Sequence, residues 1–293
     1  AKKRITTAKG GINYGQLVLA LGAQQRALPI DGDAADQVLR VNDLAAYRRL
    51  RQRLDDGVKH VTILGAGLIG CEFAEDLSGA GYEVSVVDPT DYPLASLLPQ
   101  ETGQQLRETL QRKGVSWLFH ATADRVEHSG GRLRMTLSDG DAFETDLVLS
   151  AAGLVANTQL AEKAGLATAR GIMTDRLMQT SQADVFAIGD CAAVEGQVFA
   201  YIEPIRRQAA TIAAKLVGED SPFDVKPPLV RIKTPSLPLT VCPPSEAAQT
   251  ASIPQPGDDA GRVDFRSGDR LVGFVLSGAE ANNGMQLYRE LYA

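Results

Sequence analysis

The stretch "HVTILGAGLIGCEFAEDLSGAGYEVSVVD", His60 to Asp88, decides the fold. An apolar run, Val61 to Leu64, has the composition of a strand buried on both faces. It leads into "GAGLIG", with glycines at 65, 67 and 70, and then into a helical segment from Leu68 to Ala80. A second apolar strand ends at Asp88, about 20 residues past the glycines. The whole reads as strand, glycine turn, helix, turn, strand. A lone GxGxxG is a weak signal, but this one sits in the context the dinucleotide fingerprint requires. The alternative is a glycine-rich strand-to-helix turn that holds no ligand.

Sterics assign each glycine a task. Gly65 makes the tight turn, Gly67 lets the backbone reach a pyrophosphate, and Gly70 lets helix pack on strand. A dinucleotide would lie across Gly65, Gly67, Leu68, Ile69 and Gly70, its pyrophosphate on the helix N-terminus, where free N–H groups favour anions. The Asp88 carboxylate can accept from a ribose 2′-OH and would repel a 2′-phosphate. The next twelve residues, "PTDYPLASLLPQ", hold no Arg or Lys to receive such a phosphate. NADH is therefore expected over NADPH. Glu72 has two readings. It is an acid stabilised by the dipole of a helix's first turn, or a group at the nicotinamide end of the site.

Outward from this unit, "NDLAAYRRLRQRLDD" spaces Leu44, Tyr47, Leu50 and Leu54 as an amphipathic helix, with Asn42 or Asp43 as N-cap. A further helix is expected over 100–113. From 116 to 152 the pattern turns to strands, with hairpin signals at Gly130-Gly131 and Asp139-Gly140, closing in the buried strand of "TDLVLSAAG". Upstream, "KRITTA" and "INYGQLVLALGA" flank Gly10-Gly11 as a hairpin, and residues 17–21 are apolar enough for a buried strand. Downstream, "GIMTD" and "DVFAIGD" read as a strand pair before a helix at about 203–217. After the linker "SPFDVKPP" comes a small α+β tail with strands in "LVRIKTPSLPLTV", "GRVDFRS" and "DRLVGFVLSG" and a final helix. "ASIPQPGDDAG" reads as a loop. The expected domains are 1–40, 41–153, 154–222 and 223–293. The fold class is α/β, with two Rossmann-like dinucleotide-binding domains and a small α+β C-terminal domain.

The 293 residues suffice for two or three cores, and 44% apolar with 23% charged residues is ordinary for a globular chain. A net charge of -6 without any Lys/Arg run argues against nucleic acid. No window has membrane-span length and nothing at the start reads as a signal peptide, so the cytoplasm is the default location. Cys71, Cys191 and Cys242 are an odd number at wide spacings. They suggest neither a disulfide framework nor a metal site, and His60, His120 and His128 show no metal spacing.

"VFAIGDCA", Val185 to Ala192, ends an apolar strand in Gly-Asp-Cys. Ligands of open α/β sheets sit at such C-terminal edges, and Asp190 is either a binding carboxylate there or a turn cap. With the GxGxxG–Asp unit and the strands between, "TSQADVFAIGDCA" resembles the FAD- and NAD-dependent reductases with two dinucleotide-binding domains. In that class a small C-terminal domain covers the flavin. The resemblance implies that Gly189 and Asp190 belong to the second half of an FAD site, Asp190 accepting from a ribitol hydroxyl. It implies that Ala20 and Gly22 of "LVLALGA" pass the FAD, with Leu21 where Thr is usual, and that Gly153 lies with the cofactor. Ile202 would offer its backbone N–H to the flavin pyrimidine. Lys233, otherwise a solvated strand lysine, would approach the flavin from the tail, and Glu72 would stand near the nicotinamide.

The class also carries an N-terminal FAD fingerprint, which is expected to lie before residue 1, leaving the FAD domain truncated. A C-terminal catalytic His and a long tail, marks of the disulfide reductases, are missing. The tail's "RIKTPSLPL", with "GLIGCEFAEDLS" and "RLVGFVLSGAEAN", most resembles the rubredoxin reductases, over essentially all 293 residues. One departure is Ala156 in "GLVANTQL", where Pro is usual. The implied activity passes electrons from NADH through FAD to rubredoxin, in a chain expected to be monomeric. Rubredoxins are typically acidic, so Arg206, Arg207, Lys226, Arg231 and Lys233 are the candidate docking patch. The rivals are another acceptor (a flavorubredoxin, a ferredoxin, a nitrite reductase partner) or an NAD-binding module without flavin.

Overall fold

The computed structural model describes residues 3–254 and 261–292. The chain divides into two compact units, Ala1–Gln24 with Leu154–Pro228, and Gln25–Gly153 with Leu229–Ala293.

The second unit holds the fingerprint. Its parallel sheet has the order Leu39–Arg40, Leu147–Ser150, His60–Leu64, Glu83–Asp88, Val115–Phe119. Helices Leu68–Gly79 and Gln100–Arg112 make the two crossovers between His60–Leu64 and Val115–Phe119. Val61, Ile63, Val86 and Leu149 are fully buried, which is why these strands are continuous apolar runs rather than alternating ones. The helix over Leu44–Asp55 is capped by Asp43, whose Oδ1 accepts from Ala46 N–H at 2.7 Å. An antiparallel sheet of Ala123–Ser129, Arg132–Leu137 and Ala142–Thr145 follows, turned at Gly130-Gly131 and at Gly140, all with positive φ.

The tail of this unit is a five-stranded antiparallel sheet ordered Val230–Ile232, Leu239–Cys242, Arg270–Ser277, Gly261–Ser267, Gln249–Pro254. Cys242, Phe274 and Leu276 form its core, against Leu287, Tyr288 and Leu291 of the helix Gly284–Leu291. Inside the tail, Asp264 is fully buried between Arg262 and Arg266, which contact its two oxygens at 2.7 and 2.8 Å.

In the first unit Leu17–Leu19 pairs in parallel with Val185–Ala187, and Ile172–Thr174 with Ala192–Val194. Phe186, Phe199, Phe223, Ile172 and Met178 fill the core, with Ile212 of the helix Ile202–Leu216. The hairpin Arg4–Thr7 with Gly10–Asn13 is antiparallel, but it turns at Ala8-Lys9: the expected turn residues Gly10 and Gly11 lie in its second strand, opposite Thr7 and Thr6.

Three further expectations are corrected. "GIMTD" and "DVFAIGD" form strands, but each takes its ladder from a different partner, because parallel pairing draws on distant segments that local pattern does not identify. "ASIP" is not loop: it lies in the strand Gln249–Pro254, paired with Gly261–Ser267, while its continuation "QPGDDA" lies outside the described residues. Glu72 is not in a first turn, since the helix opens at Leu68 and its first turn holds no acid. Residues 25–40 cluster with the nucleotide sheet, where Leu39–Arg40 is the edge strand and Ala34 and Val38 are buried. Among the described residues no helix is long and apolar enough to cross a membrane.

Candidate functional site

Three strand ends meet at the glycine turn. Gly65 N–H donates to Val87 O at 2.8 Å and Ala151 N–H to Leu64 O at 2.8 Å. Gly65 has φ +111°, and a Cβ there would lie 2.7 Å from Ala151 O. A Cβ on Gly70 would fall 1.9 Å from Gly65 O, so this position must stay bare for helix to meet turn. Gly67 differs: it is exposed and an added Cβ would have nothing within 4 Å. It is also the N-cap of helix Leu68–Gly79 and has no side-chain cap. The first-turn N–H groups, those of Leu68 and Ile69 among them, therefore lack a capping side chain beside open space, which suits a pyrophosphate.

Asp88 is nearly buried at the end of its strand, and its carboxylate is already employed. Oδ2 accepts from Ala66 N–H at 2.6 Å; Oδ1 accepts from Thr90 N–H at 2.8 Å and Thr90 Oγ1 at 2.5 Å. A carboxylate has about four acceptor positions, so three protein donors leave one for a ribose hydroxyl. The charge thus fixes the glycine turn while standing next to it. Cys71 lies under the same turn, donating to Ala66 O at 3.3 Å. Burial, helped by the charges of Asp88 and Glu72, pushes its thiol far above the usual range, so it is no thiolate nucleophile. Gly153 is exposed at φ +93°, its carbonyl accepting from Arg26 N–H.

Glu72 reaches the tail rather than open solvent. Its Oε1 accepts from the backbone N–H of Lys233 at 2.9 Å. One turn on, Glu75 is only 5% exposed, and its Oε1 accepts from Ser236 N–H at 2.9 Å and from Ser236 Oγ. Lys233 itself is exposed, between the buried Ile232 and Thr234.

In the first unit the parallel pairing of Leu17–Leu19 with Val185–Ala187 brings two predicted segments to one edge, Ala20 and Gly22 beside Gly189 and Asp190. Ile188 N–H donates to Leu19 O, Leu21 N–H to Cys191 Sγ at 3.3 Å, and Asn157 donates to Leu21 O and Gly22 O. Gly189, at φ +76°, donates its N–H to Gln208 Oε1 at 2.8 Å. Asp190 is half-buried with no hydrogen-bond partner among the described residues, and burial lifts its carboxyl above the usual range. Such a group keeps its acceptor positions for something other than the protein. Ile202 is the first residue of its helix and 80% exposed, and the N-cap Tyr201 contributes no side-chain bond. Its end is open to an acceptor.

Of the five basic candidates, Arg206, Arg231 and Lys233 are exposed, while two are paired locally. Arg207 binds both oxygens of Glu203 and Lys226 lies 3.3 Å from Asp224, so their charge is largely spent. Sequence reading missed Glu75, Asn157 and Gln208. Glu75 had a signal, standing three residues after Glu72 on the same helical face. Asn157 and Gln208 had none, because their partners are distant in the chain.

Residues 1–214 match the family described as Pyridine nucleotide-disulphide oxidoreductase, and residues 224–291 match the Rubredoxin binding C-terminal domain. The chain is 41% identical over 293 residues to a Rubredoxin-NAD(+) reductase of Alcanivorax borkumensis, covering 99% of this chain and 76% of that protein. It is 36% identical over 281 residues to a Nitric oxide reductase FlRd-NAD(+) reductase of Vibrio vulnificus, with 95% and 72% covered. Among solved structures it is similar to the ferredoxin reductase for the CYP199A2 system from Rhodopseudomonas palustris. The TM-score is 0.87 at 29% identity, over 94% of this chain and 70% of that one.

Proposed function

Because the chain belongs to the pyridine nucleotide-disulphide oxidoreductase family, we propose that it is an NADH-dependent flavoprotein reductase that passes electrons through FAD to rubredoxin. The observation that carries this reading is the tail, whose residues 224–291 match a rubredoxin-binding domain behind a reductase scaffold. Bound FAD supplies the exchange between a two-electron hydride donor and a one-electron acceptor.

The chain's own residues bind and orient. Gly67 clears the path for the NADH pyrophosphate while Gly65 and Gly70 let the turn and the helix close up behind it, and the N–H groups of Leu68 and Ile69 receive it. Asp88 keeps one acceptor position for the adenosine ribose and sets a negative charge against a 2′-phosphate, which favours NADH over NADPH. Asp190 accepts from a ribitol hydroxyl, with Ala20, Gly22 and Gly189 passing close to the FAD. The helix N-terminus at Ile202 donates to the flavin pyrimidine and stabilises negative charge there. Lys233 contributes a positive charge toward the flavin, Glu72 holds its backbone, and Gly153 lines the cofactor. Arg206, Arg231 and Lys233 attract an acidic carrier.

The experiment is steady-state reduction of purified carriers by NADH and the FAD-loaded protein. Rubredoxin should be reduced much faster than ferredoxin; equal rates with both, or none with rubredoxin, reject the acceptor. A flavorubredoxin is the second reading, favoured by the 36% identity to a FlRd-NAD(+) reductase, and belongs in the same comparison.

A further inference from the structure

Two carboxylates on the helix Leu68–Gly79 hold one short turn of the tail, and only the first of them has a place in the function proposed above. Glu72 Oε1 accepts from Lys233 N–H at 2.9 Å; Glu75 Oε1 accepts from Ser236 N–H at 2.9 Å and from Ser236 Oγ. The held turn is closed on itself. Leu237 N–H donates to Thr234 O at 3.0 Å, Thr234 Oγ1 donates to Leu237 O at 2.8 Å, and both Thr234 and Leu237 are 1% exposed. A turn so closed moves as a piece, gripped at Lys233 by one acid and at Ser236 by the other.

Glu75 is costly where it stands. A buried carboxylate loses its hydration, and the nearest cation, Lys113 Nζ, is 3.7 Å away on a side chain 45% exposed. Its Oε2 is buried with no partner among the described residues. An apolar residue would pack there more cheaply, unless the grip on Ser236 is itself needed.

We infer that Glu75 is a positioning residue. It anchors the far end of the turn, and together with Glu72 fixes the backbone from which Lys233 projects, on the same helix whose N-terminus receives the dinucleotide. The tail's lysine and the nucleotide site thereby share one rigid support. The importance of placing Lys233 rests on the role proposed for it above.

The test is amide hydrogen exchange on the chain itself, without flavin or carrier, so its failure and a failure of the electron-transfer reading are told apart. In Glu75→Ala the Ser236 amide should exchange at least about tenfold faster, as expected for losing bonds to a charged acceptor. The Lys233 amide should follow severalfold, while Val275 in the sheet core stays unchanged. Glu75→Gln keeps an acceptor oxygen and should restore slow exchange at both positions. Should Glu75→Ala fail to fold, Ser236→Ala removes one donor only and should speed Lys233 by a smaller factor. An unchanged Lys233 amide in the folded variant, equal acceleration at Val275, or no rescue by Gln overturns the inference.

Discussion

Gly67→Ala separates binding from folding at the fingerprint. Gly67 has φ −74° and ψ −172°, an extended conformation that alanine adopts freely, and its missing Cβ would touch nothing within 4 Å. Folding should change little, because the gain of about 0.4–1 kcal/mol through the unfolded chain is opposed by alanine's poorer preference for an N-cap position. The methyl group would instead occupy the space that lets a pyrophosphate reach the first-turn N–H groups. Losing one charge-assisted hydrogen bond costs about 1.5–3 kcal/mol, which is roughly a ten- to hundred-fold rise in Kd for NADH. Gly70→Ala is the opposite case. Its Cβ would overlap Gly65 O at 1.9 Å, a methyl group against a backbone carbonyl that cannot swing aside, so the turn must deform, at a cost of about 1–3 kcal/mol. NADH titration followed by fluorescence, paired with thermal unfolding, reads both variants. Unchanged NADH affinity in a folded Gly67→Ala would refute the placement of the pyrophosphate.

Asp190→Ala should weaken FAD retention about ten- to hundred-fold, as judged by flavin fluorescence titration, and leave NADH binding intact; equal FAD affinity would reduce Asp190 to a turn residue. Asp146 makes an acid-stability prediction. Despite the opposing effect of burial, N–H bonds from His60 and Lys59 and the Arg132 guanidinium hold its carboxyl down at about 2. Its folded value lies below its unfolded one, so it adds roughly 2 kcal/mol of stability above the unfolded pKa, and this is lost as pH falls from about 4 toward 2. Urea unfolding should therefore show Asp146→Asn weaker than the parent near neutral pH, the gap closing in acid; a gap independent of pH contradicts the assignment. Arg231→Glu should slow rubredoxin reduction severalfold at low ionic strength and little at high, while ferricyanide reduction hardly changes.

The nucleotide unit was legible because its determinants are local. The apolar run, the three glycines and Asp88 lie within 29 residues, and each is explained by the turn it builds. The strand Val185–Ala187, which leads to the short turn Gly189–Cys191, was legible for the same reason. Its partners were not: parallel pairing ties Leu17–Leu19 to Val185–Ala187 across most of the chain, and no pattern in "GIMTD" reveals that it takes Ala192–Val194. Asp88 was read for its charge, and the charge is there. That its oxygens also clamp Ala66 and Thr90 depends on side-chain geometry, which spacing does not carry. Glu72 shows the other limit. Its distance from the glycines was visible, yet its partner is a backbone N–H 161 positions away. Arg207 and Lys226 looked like docking charges because composition counts charges without their neighbours.

The most direct measurement is an anaerobic stopped-flow experiment on the FAD-loaded protein with NADH and oxidised rubredoxin. The account predicts that NADH first bleaches the flavin absorbance and that added rubredoxin then restores it as the rubredoxin is itself reduced. NADPH should bleach it far more slowly. A flavin that NADH leaves oxidised, or a reduced flavin that rubredoxin cannot reoxidise, would contradict the account.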